Sequence, residues 1–424
     1  MRFLWLYNLS AVGLRSIGLV AKFLLVLCLV RYFQPSELGL YGIMTAMVAY
    51  ALFFLGMEFY NYTSRLLVDA TPTAQALIIR DQFVFYTIVF FLISPFFYLL
   101  FYNKTLPSSL CLVFFILVIA EHISNELMKI LTILSQPYLA NVVFFIRQGL
   151  WVVILLPIYY LLPIYRTLNF VFIAWITGAI ASIIIAFAGL RHLPWRQIWR
   201  KPIHWKILWQ GHKISRPFIV TAFCALGMLY IERFFVNYYC GLDAAGIYTF
   251  YASLSLALHN LVNTSISKMR LAQLLTAWKQ NNREQFQYQS IKMLKETTFY
   301  VVLFAALSLC LISPFVTLIN KPVYLSNVSI FYFLLFGAGC RSIADVPLYT
   351  LYAQHSDRLL LSINLAAFSL MLIGNTLWVP RYGLIGAACS SAGASLALLS
   401  YALLIMVQRT LWPTPRARSP KSFN

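Results

Sequence analysis

Long apolar runs, each close to twenty residues and joined by short polar segments, fill almost the whole chain. A run of that length, wound as an α-helix, spans the hydrocarbon core of a bilayer. The runs fall at 9–31, 38–60, 81–102, 108–132, 138–162, 168–190, 214–239, 244–267, 293–319, 327–352, 359–379 and 384–407. Composition agrees with this reading. Of 424 residues, 61% are hydrophobic and only 10% are charged, where a soluble domain carries about 25% charged residues. So little charge cannot keep so much apolar surface in water. The expectation is an all-α membrane protein of about twelve transmembrane helices, with almost no chain left for a soluble domain.

The net charge of +20 would suggest nucleic acid in a soluble protein. Here its distribution follows topology. Alternate loops and the termini collect 22 Lys and Arg, and the opposite set holds only Arg31, Lys104, Arg166, Lys321 and Arg381. The basic side of a membrane protein is cytoplasmic. Both termini and the two longer loops, 191–213 and 268–292, are therefore expected there, and no nucleic-acid partner is expected. The N-terminal run carries Arg15 and Lys22 and lacks a small-residue cleavage site, so it reads as an uncleaved first helix. The segment 191–213 interleaves Trp195, Trp199, Trp205 and Trp209 with cations, a composition suited to an amphipathic linker in the membrane interface.

The chain also repeats itself. Ile93-Ser94-Pro95-Phe96 recurs as Ile312-Ser313-Pro314-Phe315, and Asn103-Lys104 as Asn320-Lys321. Gly39-Leu40-Tyr41 recurs as Gly246-Ile247-Tyr248, and Pro163-Ile164-Tyr165 as Pro380-Arg381-Tyr382. The order is kept while the spacing drifts from 207 to 219 residues, a drift that the longer loop at 268–292 accounts for. Six spans per half return the chain to its starting side, so the halves are parallel repeats with a cleft between them. The expected organisation is an N-terminal six-helix lobe over 1–190, a cytoplasmic linker over 191–213, a C-terminal lobe over 214–408 and a basic tail over 409–424.

Charge inside a span is costly, at least ~2.5–3.5 kcal/mol at mid-bilayer, so such residues usually face a cavity or a partner. The intramembrane cations are Arg15, Lys22, Arg147, Arg233 and Arg341. The candidate coupling or cavity acids are Glu58, Glu121 and Asp345, with Glu126 and Glu232 also within spans. Arg341 and Asp345 are one turn apart and suited to neutralise each other. Glu232 and Arg233 are adjacent and cannot face each other on a helix. Glu126 and Lys129 are placed to snorkel to the interface, and His259, Asn260 and Asn263 form a polar patch on the eighth span. Lys22 and Arg147 have no acid three or four residues away. A cleft lined by them would favour an anionic substrate, since guanidinium matches phosphate oxygens.

No enzyme signature occurs. There is no P-loop, no His pair with zinc-ligand spacing and no C-x-x-C among the seven cysteines. Neither an enzyme activity nor a metal or other cofactor is expected.

The stretch Trp378-Val379-Pro380-Arg381-Tyr382-Gly383-Leu384-Ile385-Gly386-Ala387-Ala388 resembles the entry to the last helix of polysaccharide flippases. Glu37-Leu38-Gly39-Leu40-Tyr41 resembles their first loop, and Asp243-Ala244-Ala245-Gly246-Ile247-Tyr248 its counterpart in the second half. The family is that of the Wzx-type O-antigen flippases, in the multidrug/oligosaccharidyl-lipid/polysaccharide exporter superfamily. The resemblance implies a V-shaped pair of six-helix lobes with a central cavity, in the bacterial inner membrane. It implies transfer of an undecaprenyl-diphosphate-linked oligosaccharide from the cytoplasmic to the periplasmic leaflet by alternating access, without ATP hydrolysis. Membrane lipids, a polysaccharide polymerase and chain-length machinery are the implied partners. A cationic cavity for the diphosphate would fit Lys22 and Arg147. The glycines and prolines of these motifs are read as shaping turns and helix starts. Two other functions fit less well: a cation-coupled multidrug or metabolite antiporter using Glu58 or Glu121, and a polytopic glycan polymerase or glycosyltransferase, which would need a sizeable extracytoplasmic loop.

Overall fold

The structure, a computed structural model, describes residues 2–103, 106–198, 200–263 and 268–411. The side chain of Arg15, Trp199 and most of the 409–424 tail lie outside the described residues. The described residues form helices joined by short turns and loops, without strands.

The helices are α1 (Arg2–Tyr32), α2 (Pro35–Gly56), α3 (Tyr60–Val68), α4 (Pro72–Tyr102), α5 (Cys111–Ile133), α6 (Pro137–Phe145), α7 (Trp151–Leu161), α8 (Leu168–Leu190), α9 (Trp195–Ile198), α10 (Trp205–Val262), α11 (Lys268–Lys279), α12 (Arg283–Ile319), α13 (Pro322–Leu325), α14 (Val328–Ala353) and α15 (Asp357–Met406). Among the described residues, nine helical stretches are long and apolar enough to cross a membrane. Two of them are too long for one crossing. Phe218–Val262 has 45 residues and Asp357–Arg409 has 53, and 45 residues of helix rise about 68 Å against a core of ~30 Å. Each breaks at a glycine in a conformation side chains avoid, Gly241 (φ 84°) and Gly383 (φ 57°). With the 31-residue α1, this gives the twelve crossings expected. Phe91, Leu92 and Phe96 on α4 and Val302 and Leu303 on α12 stand exposed, as helices solvated by lipid require. The protein is a multi-pass membrane protein.

Local signals set the helix starts. Pro35 opens α2 behind a capping box in which the Gln34 N–H donates to Glu37 Oε2 at 3.0 Å. Thr71 caps α4 ahead of Pro72, and Asn282 caps α12 by accepting from Gln285 N at 3.0 Å. The repeat is visible in these elements: α4 and α12 each carry an internal proline, Pro95 and Pro314, and end at Asn103 and Asn320.

Several boundaries differ from the sequence reading. The expected loop before residue 81 contains α3 and the first turns of α4, and the loop 268–292 forms α11 and the start of α12. In the 191–213 linker, only α9 is a separate helix. Residues 205–213 instead continue into the seventh span. These segments are amphipathic and carry charge, so they lack the apolar content that marks a span although they are helical. Glu58, expected inside the second span, lies beyond it. The α2 helix ends at Gly56, and Met57 and Glu58 both adopt positive φ, 43° and 54°. Arg80, expected on a loop, is buried.

The chain forms two compact units. One comprises Met1–Leu226 with Gly241–Phe250, the other Gly227–Cys240 with Tyr251–Asn424. The start of the eighth span belongs to the first unit because two glycines meet there. A Cβ on Gly39 would collide with the Leu242 carbonyl oxygen, and one on Gly246 with that of Pro35. Each would also lie 3.0 Å from the backbone nitrogen of the other glycine. The contact is reciprocal, since each glycine meets the carbonyl four residues before the other. It is a close small-residue crossing between equivalent helices of the two repeats. The Gly-x-Tyr motifs were expected to shape turns and helix starts, and the structure places them at this crossing. The Pro-x-Tyr-Gly motif does shape a turn: Gly383 supplies the positive φ, and Gly386 leaves room for the Trp378 carbonyl.

Candidate functional site

Three buried polar centres occupy the crossings, two in the first unit and one in the second.

The first is built by α1, α5, α8 and a π-helical turn. Between α6 and α7, residues Ile146–Leu150 form a π-turn, which widens the helix by a residue and re-aims the side chains it carries. Arg147 sits on that turn. Its Nη1 lies 3.1 Å from Glu121 Oε2. The other Glu121 oxygen accepts from Trp175 Nε1 at 2.5 Å. Trp151 stacks on Trp175, centroids 6.1 Å apart at 7°, and donates to the Arg147 carbonyl at 3.0 Å. Gly178 makes this stack feasible, because a Cβ there would lie 2.6 Å from Trp151 Cδ1. The α1 helix reaches the site by crossing the π-turn at two glycines, where a Cβ on Gly149 would lie 2.8 Å from Gly18 Cα. One turn beyond Gly18, Lys22 places its ammonium 5.0 Å from the Trp175 ring centroid, within electrostatic reach of both Glu121 and Arg147.

Glu121 and Arg147 are 2% and 6% exposed, so this ion pair is inside the protein. Two cations share one carboxylate, which leaves the centre with a positive balance. Arg147 Nε is buried and makes no hydrogen bond, an unspent donor pointing to a further acceptor. The acid that sequence spacing could not supply to Arg147 comes from another helix.

The second centre lies further along α5. Glu126 accepts from Tyr86 Oη at 2.6 Å, from Gln82 Nε2 at 3.1 Å and from Lys129 Nζ at 2.6 Å. Its exposure is 1%. The Glu126 carboxylate therefore does not snorkel as expected; Lys129 reaches in to it and lies 5.0 Å from the Tyr60 ring centroid. His122 packs edge-on to Tyr86, centroids 4.5 Å apart, with no hydrogen bond at either ring nitrogen. The Glu58 carboxylate is held by Asn61 Nδ2 at 2.7 Å.

In the second unit, Asp345 on α14 accepts from Asn263 Nδ2 at 2.5 Å, and the same amide lies 3.3 Å from Tyr349 Oη. His259 Nδ1 lies 4.0 Å from Asp345 and 3.2 Å from Ser342 Oγ. Arg341 is within electrostatic reach of Asp345 and Glu232. Arg233, 3% exposed, stacks its guanidinium 5.1 Å from the Tyr230 ring centroid. His259 and Asn263, one turn apart on the eighth span, are brought to Asp345 by the fold. Among the described residues no cluster of His, Cys, Asp and Glu could hold a metal ion.

Trp151, Trp175, Tyr86 and Gln82 were absent from the sequence-derived site residues. Each reads as an apolar or interfacial filler until its partner on another helix is known. The π-turn leaves no mark on a 3.6-residue periodicity.

No sequence-family profile matches the chain, and no characterised relative matches it in sequence. Solved structures do match. One is the lipid II flippase MurJ in an inward closed conformation, at TM-score 0.73 and 16% identity, covering 94% of this chain and 87% of that one. Another is a multidrug resistance MATE family transporter of the MOP superfamily in an inward-facing conformation, at TM-score 0.67 and 14% identity, covering 95% and 98%. The chain has the fold of the MOP-superfamily transporters. A MATE structure in the bent conformation matches too, at TM-score 0.61 and 15% identity, covering 93% of each chain. At such identities the match establishes the fold, and the chemistry rests on the residues above.

Proposed function

We propose that the protein is a flippase for an oligosaccharide linked through a diphosphate to a polyprenyl lipid, the O-antigen type of repeat unit, carried from the cytoplasmic to the periplasmic leaflet of a bacterial inner membrane. The observation that carries this reading is the Lys22–Arg147–Glu121 centre, two cations around one carboxylate with Arg147 Nε unsatisfied. A diphosphate offers adjacent anionic oxygens. A guanidinium fork grips such oxygens from a fixed direction, and an ammonium adds an orientable charge. Glu121 holds the guanidinium in place and offsets part of its burial cost. Arg15, Arg233 and Arg341 are the further cations of the pathway. The repeats 1–190 and 214–408, joined by 191–213 and followed by the 409–424 tail, are the bodies whose rocking gives alternating access, without ATP hydrolysis. A polymerase and chain-length machinery would take up the product.

Asp345 is the coupling acid in this reading. Glu121 is committed to Arg147, and Glu58 lies outside the spans. The Asp345 side chain remains 17% exposed, beside an ionisable His259. That cluster also favours a second reading, a cation-coupled multidrug or metabolite antiporter. Reconstitution in proteoliposomes separates the two. A flippase moves a fluorescent lipid-linked diphosphate sugar between leaflets, with strong loss in Lys22→Gln and Arg147→Lys. Uptake of cationic drugs with no lipid movement would establish the antiporter instead.

A further inference from the structure

The turns that lead into the seventh span form an ordered ledge that none of the transport chemistry uses. Helix α10 begins at Trp205, while its membrane-crossing apolar stretch begins only at Phe218, so thirteen residues, a rise of about 20 Å, lead into the span. Two sets of contacts fix these turns to the first unit. Leu208, Gly211 and Ser215 are buried on one face. A Cβ on Gly211 would lie 2.5 Å from Phe59 Cε2 and 2.6 Å from Tyr62 Cδ1, and Ser215 Oγ donates to the Glu58 carbonyl at 3.2 Å.

The approach to the helix is clamped by buried Arg80. Its guanidinium donates to the carbonyls of Ile198, Lys201 and Pro202 at 2.5, 2.8 and 2.9 Å and to Asp81 at 2.6 and 2.9 Å. Asp81 in turn accepts from the His204 backbone N–H at 3.2 Å and pairs with its Nδ1 at 2.9 Å.

The opposite face of α10 is a single stripe. Trp205, Lys206, Trp209, Lys213 and Arg216 fall within about 100° of arc on a helix of 3.6 residues per turn. All five are exposed, the two indoles at 59% and 66%. Arg216 places its guanidinium 5.9 Å from the Trp209 ring centroid. No Asp or Glu occurs in residues 191–216, against seven Lys and Arg. Exposed apolar surface begins at Ile214 and continues at Val220, so the stripe stands where lipid contact starts. Indoles seek the headgroup layer, and cations there pair with phosphate.

We propose that this stripe is a headgroup-binding site for anionic phospholipids of the adjoining leaflet. It is an open strip about 16 Å long, with no cavity to enclose a cargo, and its rigidity comes from the Arg80 clamp and the Gly211 contact. The proposal is independent of which cargo the protein carries.

The test uses the full chain in neutral detergent with labelled phosphatidylglycerol or phosphatidylcholine, read by fluorescence anisotropy. The wild type should prefer phosphatidylglycerol, with an affinity that falls as salt is raised. The Lys206→Gln/Lys213→Gln/Arg216→Gln triple should bind it about fivefold more weakly per cation, on the order of 100-fold in all. The triple Lys279→Gln/Lys292→Gln/Lys295→Gln, with the same change in net charge in the second unit, should bind as the wild type does. Melting temperatures of both triples should match the wild type, since the residues replaced in the stripe are exposed. Equal loss in the two triples, equal affinity for the two lipids, or unchanged affinity in the stripe triple would each overturn the proposal.

Discussion

Replacing Arg147 tests two roles that the structure superimposes, partner of Glu121 and ligand for phosphate. The pair is 3.1 Å apart with side chains 7% and 2% exposed. At an effective dielectric of 20 its attraction is about 5 kcal/mol. Arg147→Met leaves buried Glu121 without its direct partner and with Lys22 only at longer range, which costs up to about 3–5 kcal/mol of stability. The single variant should melt early and transport poorly, and by itself it decides nothing. Adding Glu121→Gln removes the stranded charge, and the new amide oxygen still accepts from Trp175 Nε1. Replacing a buried pair by neutral groups of similar volume is close to neutral for stability, but Lys22 then loses the Glu121 charge within its reach, so the double variant should recover part of its melting temperature in detergent. Transport should not recover. A lost charge-assisted contact to phosphate is worth about 1.5–3 kcal/mol, or roughly 10- to 150-fold in transport efficiency. The assay pairs thermal melting with flipping of a fluorescent lipid-linked diphosphate sugar in proteoliposomes. A double variant that regains both stability and transport would reduce Arg147 to a counter-ion and refute its contact with cargo.

Three further outcomes are expected. Gly246→Val drives a branched side chain into the Pro35 carbonyl and should cost at least ~1–3 kcal/mol, seen as loss of monodispersity by fluorescence-detected size exclusion; Gly393→Ala, where nothing lies within 4 Å, should behave as the wild type. Arg80→Ala takes the guanidinium from buried Asp81 and frees three carbonyls, so trypsin should cleave after Arg200 much faster in the variant, and an unchanged cleavage rate would mean that Arg80 does not hold this segment. Asp345→Asn keeps a side chain that can accept from Asn263 but removes the charge; the fold should persist while transport loses its response to an imposed ion gradient, and a retained response would exclude Asp345 as the coupling acid.

Much of the architecture was legible in one dimension because lipid imposes a simple rule. Every backbone amide in the bilayer must be paired internally, so a long apolar run has to be a helix. The sixth span, expected at 168–190, is α8 over those same residues. The repeated Pro95 and Asn103, Pro314 and Asn320 of the sequence fall at matching places in α4 and α12, inside each helix and at its end. The rule loses force at the membrane edge, where amphipathic α3, the start of α10 and α11 are helical for reasons of packing rather than apolar content. It says nothing about partners across helices. Lys22 and Arg147 could be recognised as unpaired along their own helices, because helical neighbours are fixed at three and four residues. That Glu121 answers Arg147, that Trp175 braces Glu121, and that Asn263 meets Asp345 depend on helix crossings. Those crossings are set by close contacts such as Gly18 with Gly149, and by a π-turn that no periodicity records. The sequence by itself determined that this chain spans a membrane many times as two repeats carrying buried charge. Only the tertiary structure decided which charges meet, because a charge inside lipid is stabilised by whatever the packing of other helices brings within a few ångströms of it.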